Sequence, residues 1–288
     1  MASMLPVLDQ HDRRLNLLDE TGKPIVSDGS PAAVNVAFTE LRKDPDFACA
    51  IDTQLMFGET VKVHDIRDSW AWVQADRDGY VGWLEASVLL HDPEPHTHVV
   101  SVPRTFFYPE PDLKLPHKGM RSMGSALRVS GAAENRGTNY AILDSGEAVI
   151  ASHIRSMEQH ETDYVSVAEV LMHTPYLWAG TTAFGLDCSG FVKLAMFMCG
   201  EHVLRDSDMQ AATIGSEVDP GENYDNVERG DLVFWRGHVG ICQGRDANGV
   251  QTIIHANGHT MNVASEPLLG AVDRIAYLYE KPIGVRRP

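Results

Sequence analysis

The sequence lacks the features that mark membrane proteins and nucleic-acid-binding proteins. No stretch approaches the roughly 18 consecutive apolar residues that span a bilayer, because even the richest run, 232–241, is interrupted by Arg236 and His238. The formal net charge of −16 opposes binding to nucleic acid or to an anionic membrane, since both require clustered Lys and Arg. We therefore expect neither a nucleic-acid partner nor a membrane partner.

Cysteine is scarce, and the N-terminus carries no secretory signal. The four cysteines form no CxxC pair, which predicts free thiols in a reducing compartment. The opening segment, MASMLPVLDQHDRRLN, lacks the basic residues and the apolar run of roughly 7–15 residues that a signal peptide needs. These absences predict a cytoplasmic protein. Neither HExxH nor a paired Cys/His spacing occurs, so we expect no metal site and no cofactor.

The chain is long enough for two or three globular units, with 288 residues of which 43% are hydrophobic. Residues 1–45 contain turn formers and few periodic apolar positions, which indicates a lead segment that packs onto something else. Residues 46–95 hold three segments, TVKVHDI, SWAWVQA and YVGWLEA, whose alternation is typical of strands. We interpret 46–95 as a small β module, whose aromatic residues either fill the core or face a ligand.

Residues 96–160 repeat this strand and turn rhythm in weaker form. The two regions resemble each other at a separation of about 65 residues, as seen when GYVGWLEAS at 79–87 is placed over GEAVIASHI at 146–154. We interpret 96–160 as a second, degenerate copy of the β module. The alternative is that any two small β units look alike at this level.

Residues 161–288 combine helical and strand patterns and form a third domain. YVSVAEVLMHT has helical apolar spacing, and 185–200 contains a second helix. Residues 231–255 alternate as strands, with a turn at 245–249 joining the last two. The expected fold class is α+β.

The sharpest chemical feature is GLDCSGFVKLAMFMCG, in which Cys188 lies where a turn becomes a helix. Unpaired backbone N–H groups and the positive end of the helix dipole stabilise a thiolate there, which predicts a lowered thiol pKa and a nucleophile. The flanking Asp187 and Ser189 either cap the helix or contact substrate.

A nucleophilic cysteine needs a base, and neutral imidazole suits that task near neutral pH. His238 and His255 lie on strands predicted to be neighbours, so one imidazole can take the thiol proton while the other fixes its tautomer. Taken alone, a histidine in a strand more often has a structural role, but the combination with a cysteine at a helix start favours the catalytic role. His259, four residues after His255, is the alternative to it.

Four segments, TPYLWAGTTAFGLDCSGFV, LRDSDMQ, RGDLVFWRGHVGI and IIHANGHTMNV, resemble the NlpC-type cell-wall peptidases over roughly 164–288. The resemblance implies a reduced papain-like catalytic domain. It assigns the nucleophile to Cys188, the base to His238, the third polar residue to His255 and an oxyanion-side hydroxyl to Tyr176. Ala179 replaces the second glycine that is usual in the PYLWAG motif, which alters backbone freedom but removes no reactive group.

The upstream segments TQLMFGETVKV, SWAWVQ and DGYVGWL are similar to the first bacterial SH3-like module of the intracellular γ-D-glutamyl-L-diamino acid endopeptidases. Those relatives carry a second, weaker module, so the resemblance implies two small SH3-like β-barrel modules before the catalytic domain. In them, residues of the first module and of the catalytic domain hold the free amine of an N-terminal L-Ala. The matching positions here are Glu59, Tyr80, Asp206 and Ser207.

Three of these four matches also have a purely structural alternative. Tyr80 would otherwise fill the barrel core, Glu59 would be a surface charge, and Asp206 would cap a helix.

The resemblance implies a cysteine endopeptidase whose partner is a cell-wall-derived peptide. It would cleave the bond between γ-D-Glu and the diamino acid in short peptides with a free N-terminal L-Ala, as in muropeptide recycling. One alternative is a papain-like amidase or acyltransferase that acts on another amide or ester. Another is a non-catalytic cell-wall binding protein, which would not need a cysteine with two histidines.

Overall fold

The computed structural model describes residues 5–9, 11–18, 22–24 and 27–288, so part of the predicted lead segment 1–45 lies outside the described residues. The chain divides into two units. The N-terminal unit contains 13–160 and 182–184, and the C-terminal unit contains the described residues up to 12, 161–181 and 185–288. Within the described ranges, α-helices occur only in the C-terminal unit. The expected class of α+β therefore fits the C-terminal unit, whereas the N-terminal unit is built of strands.

The first sheet of the N-terminal unit has seven antiparallel strands in the order β3-β2-β6-β5-β4-β1-β7. They are β1 (Ser30–Val34), β2 (Phe38–Arg42), β3 (Ile51–Met56), β4 (Thr60–Arg67), β5 (Trp70–Ala75), β6 (Val81–Glu85) and β7 (Leu89–His91). The three predicted strand segments correspond to β4, β5 and β6. Alternate side chains such as Leu41, Val61 and Leu84 point inward and form one hydrophobic cluster.

Two strands of this sheet, β1 and β2, lie inside the predicted lead segment. β1 pairs with β4, and β2 pairs with β3 and β6, so these residues belong to the sheet. Both strands are only five residues long and stand between turns, which leaves too few alternations for a clear period. The domain boundary at 45/46 stays a prediction, and strands of a single sheet lie on both sides of it.

Eight more strands follow in the N-terminal unit. They are β8 (His98–Val100), β9 (Arg104–Tyr108), β10 (Gly119–Ser122), β11 (Ala126–Leu127), β12 (Val129–Asn135), β13 (Thr138–Leu143), β14 (Ala148–Ile150) and β15 (Ile154–Ser156). They form a five-stranded sheet, β10-β9-β14-β13-β12, and a three-stranded sheet, β11-β8-β15. Phe107 and Leu127 are central to the shared core, and Phe57 from the first part of the unit packs against it.

The two parts of the N-terminal unit end in the same way. A 3₁₀ turn at Ala86–Val88 separates β6 from β7, and a 3₁₀ turn at Ala151–His153 separates β14 from β15. The two turns begin 65 residues apart, and β7 and β15 begin 65 residues apart as well. This spacing agrees with the separation of about 65 residues seen in the sequence. The sequence alignment of 79–87 over 146–154 is out of register with the structural repeat by two residues.

The C-terminal unit combines four α-helices with a six-stranded sheet in the order β18-β23-β19-β20-β21-β22. The elements from Tyr164 onward are α1 (Tyr164–Val170), β16 (Thr181–Thr182), β17 (Gly185–Leu186), α2 (Cys188–Met198), α3 (Ser207–Thr213), β18 (Ser216–Val218), β19 (Leu232–Trp235), β20 (His238–Arg245), β21 (Gln251–Asn257), β22 (Asn262–Pro267), α4 (Leu268–Leu278) and β23 (Gly284–Arg287). Helix α2 packs on β20 and β21, and α4 packs on β21 and β22. In the part of the chain that the structure describes, no helix has the length and apolarity to cross a bilayer.

Gly58 is expected to tolerate alanine less well than Gly137. Both adopt a positive φ, +77° and +78°, but an added Cβ at Gly58 would lie 2.2 Å from the carbonyl oxygen of Ala126, whereas Gly137 has nothing within 4 Å. Gly137→Ala should therefore lower the free energy of unfolding by about 1 kcal/mol. Gly58→Ala should lower it by a further 1–3 kcal/mol, roughly, because backbone must move. Urea unfolding followed by tryptophan fluorescence measures both, and equal shifts would contradict the close approach.

Candidate active site

Cys188 is the first residue of α2, as the sequence predicts. Asp187 precedes it as the N-cap, and its carboxylate accepts a hydrogen bond from the Gly190 N–H at 2.7 Å. A Cβ on Gly190 would lie 2.2 Å from the carbonyl oxygen of Gly180, so the helix start is in close contact with the preceding loop. The thiol is therefore carried on a backbone that is fixed on two sides.

Arg205 holds the residues on either side of this cysteine. Its guanidinium is 1% exposed and donates to both carboxylate oxygens of Asp187, at 2.6 and 3.1 Å, and to the Ser189 hydroxyl at 2.9 Å. A buried carboxylate requires such a partner. Asp187 and Ser189 therefore have structural roles at the helix start, and their predicted contact with substrate stays a prediction. Sequence reasoning missed Arg205, for which only the motif LRDSDMQ offered a signal.

The sulfur of Cys188 lies against the backbone on both sides of His238. Its distance to the Gly237 carbonyl oxygen is 3.8 Å, and it also accepts hydrogen bonds from the backbone N–H groups of Val239 and Ser189. These contacts join the start of α2 to the start of β20. The structure thus brings together the two segments that the sequence pairs as nucleophile and base.

His238 and His255 contact each other across neighbouring strands. The distance from His238 Nε2 to His255 Nδ1 is 2.8 Å, and the ring centroids are 5.0 Å apart. β20 and β21 pair in register at Ile241 and Ile254, which places the two histidines at one end of the pair. His255 is fully buried. His259 instead follows β21 in a turn where its backbone N–H binds Asn257, so His255 is the partner of His238.

Two further residues continue this chain of contacts. His255 Nε2 lies 2.8 Å from Glu266 Oε1, and the same oxygen accepts a hydrogen bond from Arg274. Glu266 is reached because His255 pairs with Ala264 across β21 and β22, and Glu266 is the diagonal neighbour on the same face. Sequence reasoning missed Glu266 and Arg274, because it did not predict the register of β22.

The surroundings of the thiol and of its neighbouring imidazole favour the neutral form of each group. Burial and the Asp187 carboxylate raise the pKa of Cys188 to about 12, against the lowering effect of the N–H groups. Burial, followed by the neighbouring His255 and Arg274 side chains, lowers the pKa of His238 to about 3. The expectation of a lowered thiol pKa is therefore wrong for this state. The helix start supplies few N–H groups to the sulfur, and loss of solvent outweighs them.

Tyr176 lies near the thiol with its hydroxyl protonated. Burial and the nearby Cys188 and Asp187 side chains raise the pKa of Tyr176 to about 12, so the hydroxyl is a hydrogen-bond donor at neutral pH. In the same loop Ala179 adopts φ +64°, a conformation that glycine takes more easily. This explains the glycine that is usual at that position of the motif.

Asp206 and Ser207 begin α3 beside Arg205. Asp206 is the N-cap residue of α3, as its structural alternative predicts, although its side chain makes no cap hydrogen bond. Its carboxylate lies 3.9 Å from the Arg205 guanidinium and is 24% exposed. Ser207 is buried. The structure therefore links Asp206 to the start of α2 through Arg205.

Glu59 and Tyr80 belong to the N-terminal unit. Tyr80 is 2% exposed and packs in the core of the seven-stranded sheet, which agrees with its structural alternative. Glu59 is also buried, accepts a hydrogen bond from the Met56 N–H and lies 3.6 Å from the Arg77 guanidinium. The alternative of a surface charge at Glu59 is wrong, because β4 and the preceding turn enclose it. The substrate-binding roles of both residues stay a prediction.

Comparison with known protein families shows which families the two parts of the chain match. Residues 173–273, which contain the cysteine and both histidines, match the NlpC/P60 family. These residues form an NlpC/P60 domain. Residues 41–89 match the family described as the bacterial dipeptidyl-peptidase Sh3 domain. The NlpC/P60 domain is therefore preceded by an SH3-like domain.

The chain is similar to known relatives in sequence and to a solved structure in fold. The chain is 26% identical over 208 residues to a gamma-D-glutamyl-L-lysine dipeptidyl-peptidase of Bacillus cereus, covering 64% of this chain and 60% of that protein. It is 24% identical over 257 residues to dipeptidyl-peptidase 6 of Lysinibacillus sphaericus, covering 81% and 91%. A crystal structure of an NlpC/P60 family protein from Bacillus cereus has a TM-score of 0.72 at 23% identity, covering 90% of this chain and 99% of that one.

These comparisons support different statements. The crystal structure shows a shared fold, that of an NlpC/P60 papain-like domain with an SH3-like domain before it. The chain spans 60% and 64% of the lengths of the first two curated relatives, so their names describe proteins with further sequence.

Cys188 in the NlpC/P60 domain is expected to react with iodoacetamide at a rate that rises with pH. Because its pKa is raised to about 12, the thiolate fraction, and with it the rate, should increase about tenfold per pH unit between pH 7 and pH 9. Mass spectrometry of the peptide that contains Cys188 measures the rate, with Cys199→Ala as a control that leaves the profile unchanged. Fast labelling that is independent of pH between 6 and 8 would instead indicate a thiolate that exists before substrate binds.

Proposed function

We propose that this protein is a cysteine peptidase that cleaves the bond between γ-D-Glu and the diamino acid in short cell-wall peptides. The observation that carries the proposal is the contact of the Cys188 sulfur with the backbone around His238, whose ring contacts His255. The printed names of the first relatives, gamma-D-glutamyl-L-lysine dipeptidyl-peptidases, supply the substrate class. A free N-terminal L-Ala, muropeptide recycling and a cytoplasmic location are parts of the same proposal.

The reaction begins when His238 accepts the thiol proton while the sulfur of Cys188 attacks the carbonyl carbon of the γ-D-Glu residue. Neither charge is stable alone at this buried site, so the proton moves between the two groups as the new bond forms. The tetrahedral oxyanion accepts hydrogen bonds from the Tyr176 hydroxyl and from N–H groups at the start of α2. His255 fixes the orientation of His238 throughout.

Collapse of the tetrahedral intermediate breaks the C–N bond. His238 gives its proton to the leaving amine of the diamino acid, and a thioester to Cys188 remains. Water then attacks the thioester with His238 as the base. The products are the released diamino acid or its peptide, L-Ala-D-Glu with a free γ-carboxyl group, and the regenerated thiol.

Selection of a free amine is assigned to Asp206, with Ser207 beside it. An exposed part of a carboxylate favours an ammonium group through a charge-assisted hydrogen bond. The Asp206 carboxylate is oriented by Arg205, which also holds Asp187 next to the nucleophile. One guanidinium therefore contacts both the carboxylate that binds the amine and the residue next to the reacting thiol.

The proposal also includes a division of the chain into domains. Residues 46–95 and 96–160 correspond to two SH3-like barrel modules, and 161–288 correspond to the catalytic domain. The repeated order of strand, 3₁₀ turn and strand in the two parts of the N-terminal unit supports two modules.

Cys188→Ala is expected to abolish hydrolysis of L-Ala-γ-D-Glu-diaminopimelate, because no other group can form the thioester. Release of diaminopimelate, followed by chromatography, measures the rate, and Cys199→Ala is the matched control that retains it. Circular dichroism of both variants establishes that they fold. Undiminished hydrolysis by Cys188→Ala would remove the proposed nucleophile, and no hydrolysis by the wild type would favour the binding-protein alternative.

Acetylation of the N-terminal amine of the same tripeptide is expected to lower kcat/KM by roughly 10- to 100-fold. The loss corresponds to one charge-assisted hydrogen bond, about 1.5–3 kcal/mol. Asp206→Asn should lower the rate with the free tripeptide and narrow the difference between the two substrates. Equal rates for the free and acetylated tripeptides would favour an amidase or acyltransferase without amine selection.

A further inference from the structure

The chain of contacts from Cys188 does not end at His255. Beyond it, Glu266 contacts the outer ring nitrogen of His255, and Arg274 contacts Glu266. Glu266 is the penultimate residue of β22 and Arg274 lies in α4, which follows β22 directly, so one continuous segment delivers both side chains. Neither residue has a part in the reaction as described above.

We infer that Glu266, held by Arg274, is a positioning residue that determines which ring nitrogen of His238 carries the proton. The inference rests on the proposed function for its effect on catalysis. Its structural content, the tautomers of two histidines, does not depend on any substrate.

The argument starts from the carboxylate, which can only accept hydrogen bonds when it is ionised. The 2.8 Å contact between Glu266 Oε1 and His255 Nε2 therefore requires the hydrogen on His255 Nε2. In the inferred state His255 is neutral, and because a neutral imidazole has one N–H, its Nδ1 is the acceptor. The 2.8 Å contact at that nitrogen then requires a hydrogen on His238 Nε2.

Because neutral His238 also has only one N–H, its Nδ1 then carries no hydrogen. That nitrogen is the one able to accept the proton from Cys188, since Nε2 is engaged by His255. In the other tautomer of His255 the hydrogen is on Nδ1, and this N–H would donate to His238 Nε2. The single hydrogen of neutral His238 would then be on its Nδ1. His238 could not accept the thiol proton at that nitrogen, although both rings stayed in place.

Arg274 keeps Glu266 in the ionised form on which this order depends. Burial opposes ionisation of Glu266, but the hydrogen bond from His255 and the charge of Arg274 outweigh it, so the pKa of Glu266 is lowered. Arg274 also acts on His238, whose pKa it helps to lower. The ionisable side chains that act on the His238 ring are thus His255, Arg274 and Glu266.

The first test is the nitrogen-15 NMR spectrum of protein labelled at histidine, recorded on the wild type and on Glu266→Gln and Glu266→Ala. In the wild type we expect His238 and His255 to be protonated at Nε2 only. Glu266→Ala should shift both rings toward a mixture of tautomers, whereas the amide oxygen of Glu266→Gln can still accept from His255 and should retain more of the original form. A wild-type His238 protonated at Nδ1 would overturn the inference.

A matched control is Glu169→Gln, which removes a carboxylate from another pair with an arginine, Arg229, in the same unit. It should leave the tautomers of His238 and His255 unchanged. A change equal to that of Glu266→Ala would mean that loss of any such carboxylate perturbs the rings, and would overturn the inference.

The second test asks whether Glu266 acts through His255. With the tripeptide, Glu266→Gln should lower kcat roughly tenfold and Glu266→Ala roughly 100-fold, with KM changed less than kcat. In a His255→Ala background, Glu266→Ala should cause no further loss, because its target is absent. An equal loss in both backgrounds, or a loss confined to KM, would overturn the positioning role.

The two failures are distinguishable. If the wild type hydrolyses no tripeptide, the proposed function fails, and the NMR spectrum still tests the tautomers. If the wild type is active and Cys188→Ala is not, but Glu266→Ala retains full kcat, only the further inference fails.

Discussion

The buried ion pair between Arg205 and Asp187 is the constraint on which the site depends. Asp187 has two tasks, capping α2 through Gly190 and compensating the Arg205 charge. Removing one partner of a buried pair costs about 3–5 kcal/mol, because the other charge stays buried without compensation. The position of Cys188 is therefore coupled to the stability of the whole C-terminal unit, and the segment after α2 cannot vary independently of Cys188.

Strand register carries the second half of the site. The two histidines and Glu266 come from β20, β21 and β22, which are consecutive along the chain and adjacent in the sheet. A shift of one residue in either pairing would turn a side chain to the opposite face and break the chain of hydrogen bonds. Placing the groups on paired strands fixes their separations by backbone geometry, which loops would not do.

Local patterns predicted much of this arrangement. The helix that begins at Cys188, the hairpin of β20 and β21, and the pairing of His238 with His255 follow from periodicity, turn signals and a motif. Arg205 and Glu266 could not be found in this way, because their partners lie on elements whose pairing the sequence did not specify. The thiol pKa was predicted in the wrong direction for the same reason, since a helix end is a local feature whereas burial depends on the tertiary structure. The short strand β1 gave no period to detect.

The protonated, enclosed state of Cys188 has a consequence for the lifetime of the protein. Peroxide and related oxidants attack thiolates that are exposed, and each successive oxidation of the sulfur is harder to reverse. Cys188 is 6% exposed and burial raises the pKa of its thiol, so its sulfur is a poor target for them. In the proposed reaction, movement of a single proton separates this chemical durability of the resting thiol from its reactivity toward substrate.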